Sequence, residues 1–438
     1  MAPRAKQPVK QATQQTGSQS TELDTLLVEY REYVRSFSSV FSTRADEITQ
    51  MAFAVLMGEH ILLKGLPGVA KSMLAMKFLN GFTGGKLFKQ QFSSFMDESY
   101  LFGPQIIERL KLGEVVHNTE NSMVDAEFAF LDEFFNANEE TIIACNSILN
   151  ERVFMRNAQY EESPLISAVL TTNQSREREE KLKPIYDRIL FKSMVSPVER
   201  QKDRIEMYQR ALLGDYVNFK AEFPLSKLKR LRELISEVEV TFDFGVLQGF
   251  DNLWNTFQKE ANIYLSDRAA IKALNLMRVN AIMRNRDYIG ADDLSVLKYT
   301  MTTVGDDASS ALFDAVFAKI KATLDQEEQV NKFLREVEAR FNDYSHEFST
   351  AVGVPKLRAL RDELKKFSGE VTIAKAKVKK DPEKSVYVEN ISKKLTILIE
   401  AVLEKLSSMS SDKDIIDDTD WFNGVKTAPG KEGQEEEE

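Results

Sequence analysis

The sequence predicts an α/β protein, with a parallel sheet flanked by helices followed by a helical domain and a mostly helical C-terminal region. Three observations carry this. Short apolar runs alternate with longer helical patterns through residues 23–200, the rhythm of strands joined by crossover helices. That rhythm stops near residue 200, and residues 201–304 read as helical. The octapeptide GLPGVAKS, residues 65–72, stands between the apolar run HILLK and the helical run MLAMKFL.

The apolar runs are ILLK, LFKQQF, FAFLD, ISAVLTT and ILFKSMV, and each reads as a buried strand. With 438 residues the chain has room for two to four domains. Residues 1–22 are polar, lack an apolar core and read as a disordered tail rather than a secretory signal. Residues 305–411 are charged and helical. There Val330, Phe333, Leu334, Val337 and Phe341 share one helix face, as do Leu395, Leu398, Ile399, Val402, Leu403 and Leu406. Such stripes fit the seam of a helical hairpin or a coiled coil that takes a partner. Between them, EVTIAKAKVKKDPEKSVYVEN carries β-branched residues and reads as a small strand-bearing insertion or a loop. Residues 412–438 are acidic and read as a second disordered tail.

The formal net charge of −10 disfavours nonspecific nucleic-acid binding, which needs clustered Lys and Arg. No apolar run reaches bilayer length, which disfavours membrane insertion. The single cysteine, Cys145, lies among apolar residues at helical spacing, so a buried thiol and a cytoplasm-like compartment are expected. The three histidines are scattered without metal-ligand spacing.

GLPGVAKS has the composition of a phosphate cradle, in which backbone N–H groups and a helix N-terminus face an anion. Gly65 and Gly68 permit the tight backbone, Lys71 is placed for β and γ phosphates, and Ser72 for Mg²⁺. Ala70 stands where a glycine is expected. It costs little if that position already turns into the helix, and fails only if a positive φ is required.

FAFLDE, residues 128–133, delivers two acids to the end of a strand. Asp132 would meet Mg²⁺ directly or through water, and Glu133 would polarise an attacking water. ISAVLTTNQ ends in Asn173, either a turn former or a group that orients that water. Arg188 in YDRIL either pairs with Asp187 or another acid, or stabilises phosphoryl-transfer charge, across a subunit boundary if the geometry allows. Ser266 can cap a helix with Arg268 in its first turn, an unfavourable place for a cation that suggests an anionic partner such as ATP.

In this order GLPGVAKS, FAFLDE, TTNQ, YDRIL and SDRAAIKAL resemble an AAA+ ATPase, and more narrowly the MoxR family and its RavA-like branch. The stretches STRADEITQMAFAVLMGEHILLKG and NSILNERVF strengthen the resemblance, which covers about residues 25–304. It implies an ATPase core at 23–200, a helical lid at 201–304, a ring hexamer, ATP and Mg²⁺ as ligands, and remodelling of protein clients, often with a von Willebrand factor A-type partner.

By resemblance Gly65, Leu66, Pro67, Gly68, Val69, Ala70, Lys71, Ser72 and Met73 hold the nucleotide, and Ser72 and Asp132 the metal. Glu133 and Asn173 act on water, Arg188 is the arginine finger and Arg268 the lid sensor. RavA-like loops also have alanine before the lysine. An insert is expected near Phe102 to Val124, with Leu101 and Phe102 facing either a client or the core, and an adenine pocket near Arg44 to Ile48 and the lid. The competing readings are a nucleic-acid motor of the same class, a P-loop kinase or GTPase, and a scaffold that binds ATP without turnover.

Overall fold

The computed structural model describes residues 16–156, 159–174, 180–379 and 382–409. Two compact units divide the chain, Met1–Ala322 and Thr323–Glu438.

The first unit is built on five parallel strands: β1 (Ile61–Lys64), β2 (Leu87–Gln91), β3 (Phe128–Asp132), β4 (Ser167–Thr172) and β5 (Phe191–Met194). Their spatial order is β2-β3-β4-β1-β5. β1, β3 and β4 are almost wholly buried, which is why they read as continuous apolar runs rather than alternating ones. Leu62, Leu131, Ala168 and Leu170 belong to a cluster that also takes in Phe92, Leu101, Phe102, Phe134, Cys145 and Phe154. Leu101 and Phe102 are therefore core residues and do not face a client. Of the segment expected as an insert, Ile107, Leu110 and Leu112 are the exposed apolar side chains.

Helices α1 (Thr16–Val40), α2 (Ala45–Met57) and α3 (Lys71–Asn80) complete this layer. α1 begins inside the segment expected as a tail; residues 1–15 and 410–438 lie outside the described residues. Tyr33 and Phe37 of α1 pack edge-on or tilted against Phe78 of α3, and the Tyr33 hydroxyl donates to the Phe78 carbonyl. This aromatic cluster braces the helix that follows the phosphate loop. A short antiparallel hairpin pairs Val153–Arg156 with Gln159–Glu162; the runs VFMR and QYEE are four residues each, and the second is mostly polar, so they did not stand out as strands.

The helical part contains α4 (Leu225–Glu237), α5 (Phe244–Ala261) and α6 (Asp267–Met283). A two-residue parallel pairing, Thr241–Phe242 with Tyr288–Ile289, interrupts it. Asp293 is fully buried. It accepts from Asn280 Nδ2 at 2.6 Å, from both terminal nitrogens of Arg286 at 2.7 and 2.9 Å, and from Gly290 N at 2.9 Å. A buried carboxylate is tolerated only with such complete pairing.

In the second unit, α8 (Val354–Val378) and α9 (Pro382–Met409) pair lengthwise. α8 buries Leu357, Leu360, Leu364, Phe367, Val371, Ala374 and Val378, alternating steps of three and four that make a heptad seam. Leu395, Leu398, Ile399, Val402 and Leu406 face it, and Leu334 and Val337 of α7 (Asp307–Thr350) join the same cluster. Both apolar stripes are thus an internal seam. The segment expected as strand or loop is helical on both sides of residues 380–381. Val371, Val378 and Val388 are buried at helical spacing, so packing overrides their β-propensity.

Replacing Asp293 by alanine leaves Arg286, Asn280 and Gly290 N–H without their acceptor. The expected cost is about 3 kcal/mol, measurable as a fall in the thermal or denaturant midpoint of the purified protein.

Candidate functional site

The phosphate loop leaves the C-terminal end of β1, between the ends of β4 and β5. Gly65 N donates to Thr172 O at 3.0 Å, and Val195 N donates to Lys64 O at 2.7 Å. A Cβ on Gly65 would meet Val195 O at 2.3 Å, so space alone requires glycine there. Gly68 is different: nothing crowds it, but its φ is +85°. Ala70 has φ 64° and ψ 21°. Of the two cases open for this position, helical dihedrals or a positive φ, the structure has the second. The chain takes the left-handed conformation there, with a side chain, and then starts α3 with Leu74 N bonded to Ala70 O. For an L-residue that costs about 1–2 kcal/mol.

Lys71 is buried. Its ammonium donates to Gly65 O at 2.7 Å and Leu66 O at 2.9 Å. Burial pulls its pKa down, and the charges of Glu133 and Asp132 oppose that shift. Ser72 Oγ lies 3.4 and 3.3 Å from the two oxygens of Asp132. These are hard oxygen donors, the kind Mg²⁺ accepts alongside phosphate and water. Among the described residues no group of three or more His, Cys, Asp or Glu could hold a metal by itself.

Glu133 follows β3 with φ 52°. Its N–H donates to Thr171 Oγ1 at 3.1 Å, and the Thr171 hydroxyl donates to Asp132 Oδ1. Asn136 N donates to Glu133 O at 2.8 Å, and Asn136 Nδ2 donates to Glu133 Oε2 at 3.3 Å. Asn173 is exposed, one residue beyond β4 on the same edge of the sheet. Thr171 and Asn136 were missed by sequence reasoning. The first reads as one more β-branched strand residue, and the second as a turn former.

Beside the loop lies a cavity of about 280 Å³ whose lining includes Phe41, Arg44, Ala70, Met73, Val198, Met207 and Tyr216. Of the stretch 44–48 expected at an adenine pocket, only Arg44 lines it, while Glu47 and Ile48 are buried. The α4–α6 helices contribute nothing to its lining; the helix Gln201–Leu212 does.

The two arginines are elsewhere. Arg188 ends the helix Lys183–Arg188 and donates to Pro184 O at 2.7 Å. Phe191 N, three residues later, bonds to His60 O, before β1 begins. Asp187 accepts from Ser266 Oγ at 2.5 Å, so the alternative of an Arg188–Asp187 pair is not what the structure shows. Ser266 does cap α6, accepting from Ala269 N at 3.2 Å. Arg268 is exposed, with Nη1 at 3.5 Å from Asn150 Oδ1. Lys272, one turn on, pairs with Glu59 at 2.6 Å. Both arginines are thus grouped with residues that precede β1, at the edge opposite the phosphate loop. Four residues of β1, roughly 13 Å of strand, separate the two edges.

Comparison with known proteins bears on this arrangement. Residues 28–213 match the model of the MoxR domain in the MoxR-vWA-beta-propeller ternary systems, and residues 245–310 match an AAA lid domain. Residues 28–213 are thus similar to MoxR domains and residues 245–310 to AAA lids, on an AAA+ α/β fold. An uncharacterised protein of Methanocaldococcus jannaschii is 28% identical over 82% of this chain and 96% of its own length. The chaperone MoxR1 of Mycobacterium tuberculosis is 24% identical over 56% of this chain and 67% of its own. A crystal structure from Cytophaga hutchinsonii, described as that of an ATPase candidate, superposes with a TM-score of 0.54 at 18% identity. It covers 69% of this chain and 98% of that one, and at that identity the likeness concerns the fold.

Within the MoxR-like region the left-handed Ala70 offers a direct check on the loop. Ala70→Gly relieves the steric conflict at φ 64°, so it is expected to raise stability by about 1 kcal/mol and to keep nucleotide affinity. Thermal unfolding and a fluorescent ATP analogue measure both. A lower midpoint would contradict the left-handed assignment.

Proposed function

We propose that this MoxR-type protein hydrolyses Mg-ATP between subunits and uses the cycle to remodel partner proteins. The observation that carries the reading is a division of parts. Lys71, Ser72, Asp132, Glu133 and Asn173 converge on the C-terminal edge of the sheet, while Arg188 and Arg268 occupy the opposite edge. A single chain holds both halves of a phosphoryl-transfer site but cannot bring them together. A second copy, related head to tail, can.

In this reading loop residues 65–73 wrap the phosphates and the cavity at Phe41, Met207 and Tyr216 takes the base. Ser72 and Asp132 would hold Mg²⁺, which when bound neutralises phosphate charge. Glu133 accepts the proton of the attacking water, Asn173 orients that water, and Arg188 and Arg268 of the neighbouring copy stabilise charge on the transferred group. Exposed apolar side chains support such a contact. Ile205, Tyr208 and Leu212 form a stripe on the helix that lines the cavity, and Ile263, Tyr264 and Ile271 flank Arg268. Two different patches on one chain make a heterologous interface, which closes into a ring when the rotation allows; a hexamer is the proposed closure.

Ala70 supports a RavA-like place within the family, the lone buried Cys145 supports a reducing compartment such as the cytoplasm, and the matched domain's description supports a von Willebrand factor A-type partner.

Lys71→Ala is expected to lose nucleotide binding. Glu133→Gln should bind ATP and lose turnover by about 100-fold or more, and normal hydrolysis by it would sink the general-base role. Arg188→Ala should reduce hydrolysis more than ATP affinity. Mixed with Glu133→Gln it should regain activity, because one interface then holds an intact Glu133 from one copy and an intact Arg188 from the other. No recovery in mixtures of assembled rings would argue against trans geometry.

A further inference from the structure

We propose that Thr171 is the residue that positions both carboxylates of this site; the proposal rests on the hydrolytic reading above. Thr171 is fully buried near the end of β4. Its one hydroxyl does two things. It donates to Asp132 Oδ1, and it accepts the Glu133 N–H at 3.1 Å. The registered pairing of β3 with β4 stops at Leu131 and Leu170. One residue later the ladder is replaced by this side chain, so a hydroxyl does the work of a strand partner.

The consequence for geometry is specific. A Glu133 N–H bonded to a backbone carbonyl would keep β3 extended, and the next side chain would follow strand alternation. Bonded to Thr171 Oγ1, the chain leaves the strand and Glu133 takes φ 52°. The turn closes through Asn136 N to Glu133 O, and Asn136 Nδ2 holds the carboxylate at 3.3 Å. On the other side, the hydroxyl proton on Asp132 Oδ1 fixes that carboxylate toward Ser72 Oγ, 3.3 Å away. Thr171 therefore sets the metal-facing acid and the water-facing acid relative to each other. Its role is positional, through Asp132 and Glu133. Valine has the same shape but can neither donate nor accept, and serine keeps the hydroxyl.

The test compares Thr171→Val, Thr171→Ala and Thr171→Ser in the full-length protein. Three quantities are read: ATP turnover, binding of a fluorescent ATP analogue without metal, and the Mg²⁺ concentration that gives half-maximal turnover. The valine and alanine variants should lose about 10- to 100-fold in turnover, the range for a buried hydrogen-bond partner removed. They should need more Mg²⁺ and bind the metal-free analogue as the unaltered protein does. The serine variant should stay close to the unaltered protein in all three. Turnover retained by Thr171→Val would overturn the proposal. So would a serine variant as weak as valine, or metal-free binding lost together with turnover, which marks a merely structural role. Failure here is distinguishable from failure of the hydrolytic reading. Normal turnover by Glu133→Gln removes that reading, whereas an inactive Glu133→Gln beside an active Thr171→Val removes only the role of Thr171.

Discussion

The end of β1 is the point on which the site depends. There three strands finish together, with Gly65 N bonded to Thr172 O and Val195 N to Lys64 O. The neighbouring chain comes so close that no side chain fits at Gly65. This fixes where the phosphate loop starts and in which direction α3 leaves. Because all five strands are parallel, the same edge also receives the ends of β3 and β4. The acids and Asn173 arrive beside the loop without any further device. Binding at the carboxyl ends of strands, where the strand order reverses around β1, is the general property of open parallel sheets.

The same topology excludes the arginines from that edge. Arg188 precedes β5, and α6 is held near the start of β1 by the Lys272–Glu59 pair and the Ser266–Asp187 bond. Burial raises the pKa of Glu59, and the Lys272 charge opposes that rise. The contact is thus a partly desolvated pair whose loss would leave one charge without its partner. The docking of α6 thus places the backbone of Arg268 near the start of β1, while its side chain is exposed.

Much of this was legible in the sequence. β1, β3 and β4 were visible because buried parallel strands are apolar on both faces, and the acids because they interrupt such a run; β2, expected to be buried, is an edge strand whose side chains are half-buried or exposed. Glycine and lysine spacing marked the loop. What was not legible belongs to tertiary structure. The cavity beside the loop is lined by the helix Gln201–Leu212, whose sequence gives no sign of what it covers. Leu101 and Phe102 belong to the core, one of the two placements that the sequence left open. Residues 370–378 are helical against the β-propensity of Val371, Thr372 and Ile373, because a heptad seam buries Val371, Ala374 and Val378. Thr171 looks like any strand threonine until its hydroxyl is seen between two acids. The edge to which Arg268 belongs required knowing which strand end α6 packs on.

The backbone itself marks the functional positions. Six described residues other than glycine have positive φ: Ala70, Asn121, Glu133, Arg152, Asn262 and Asn285. Three are asparagine, which tolerates that region. The other three are not tolerant types, and two of them, Glu133 and Arg152, use their side chains in hydrogen bonds. Ala70 precedes the lysine of the loop. Glu133 carries the carboxylate that Asn136 Nδ2 holds, a bond that glycine at this position would remove. Arg152 donates to the carbonyls of Gly58 and Ile148, joining the end of α2 to the helix Asn146–Glu151. Left-handed strain persists only where surrounding bonds over-determine the conformation. At Glu133 those bonds come from Thr171 and Asn136, and at Arg152 from its own guanidinium. Ala70 has neither. Its conformation is imposed from both ends, by Gly68 on one side and the first turn of α3 on the other, so the loop's geometry is a product of its anchors rather than of the residue that bears the strain.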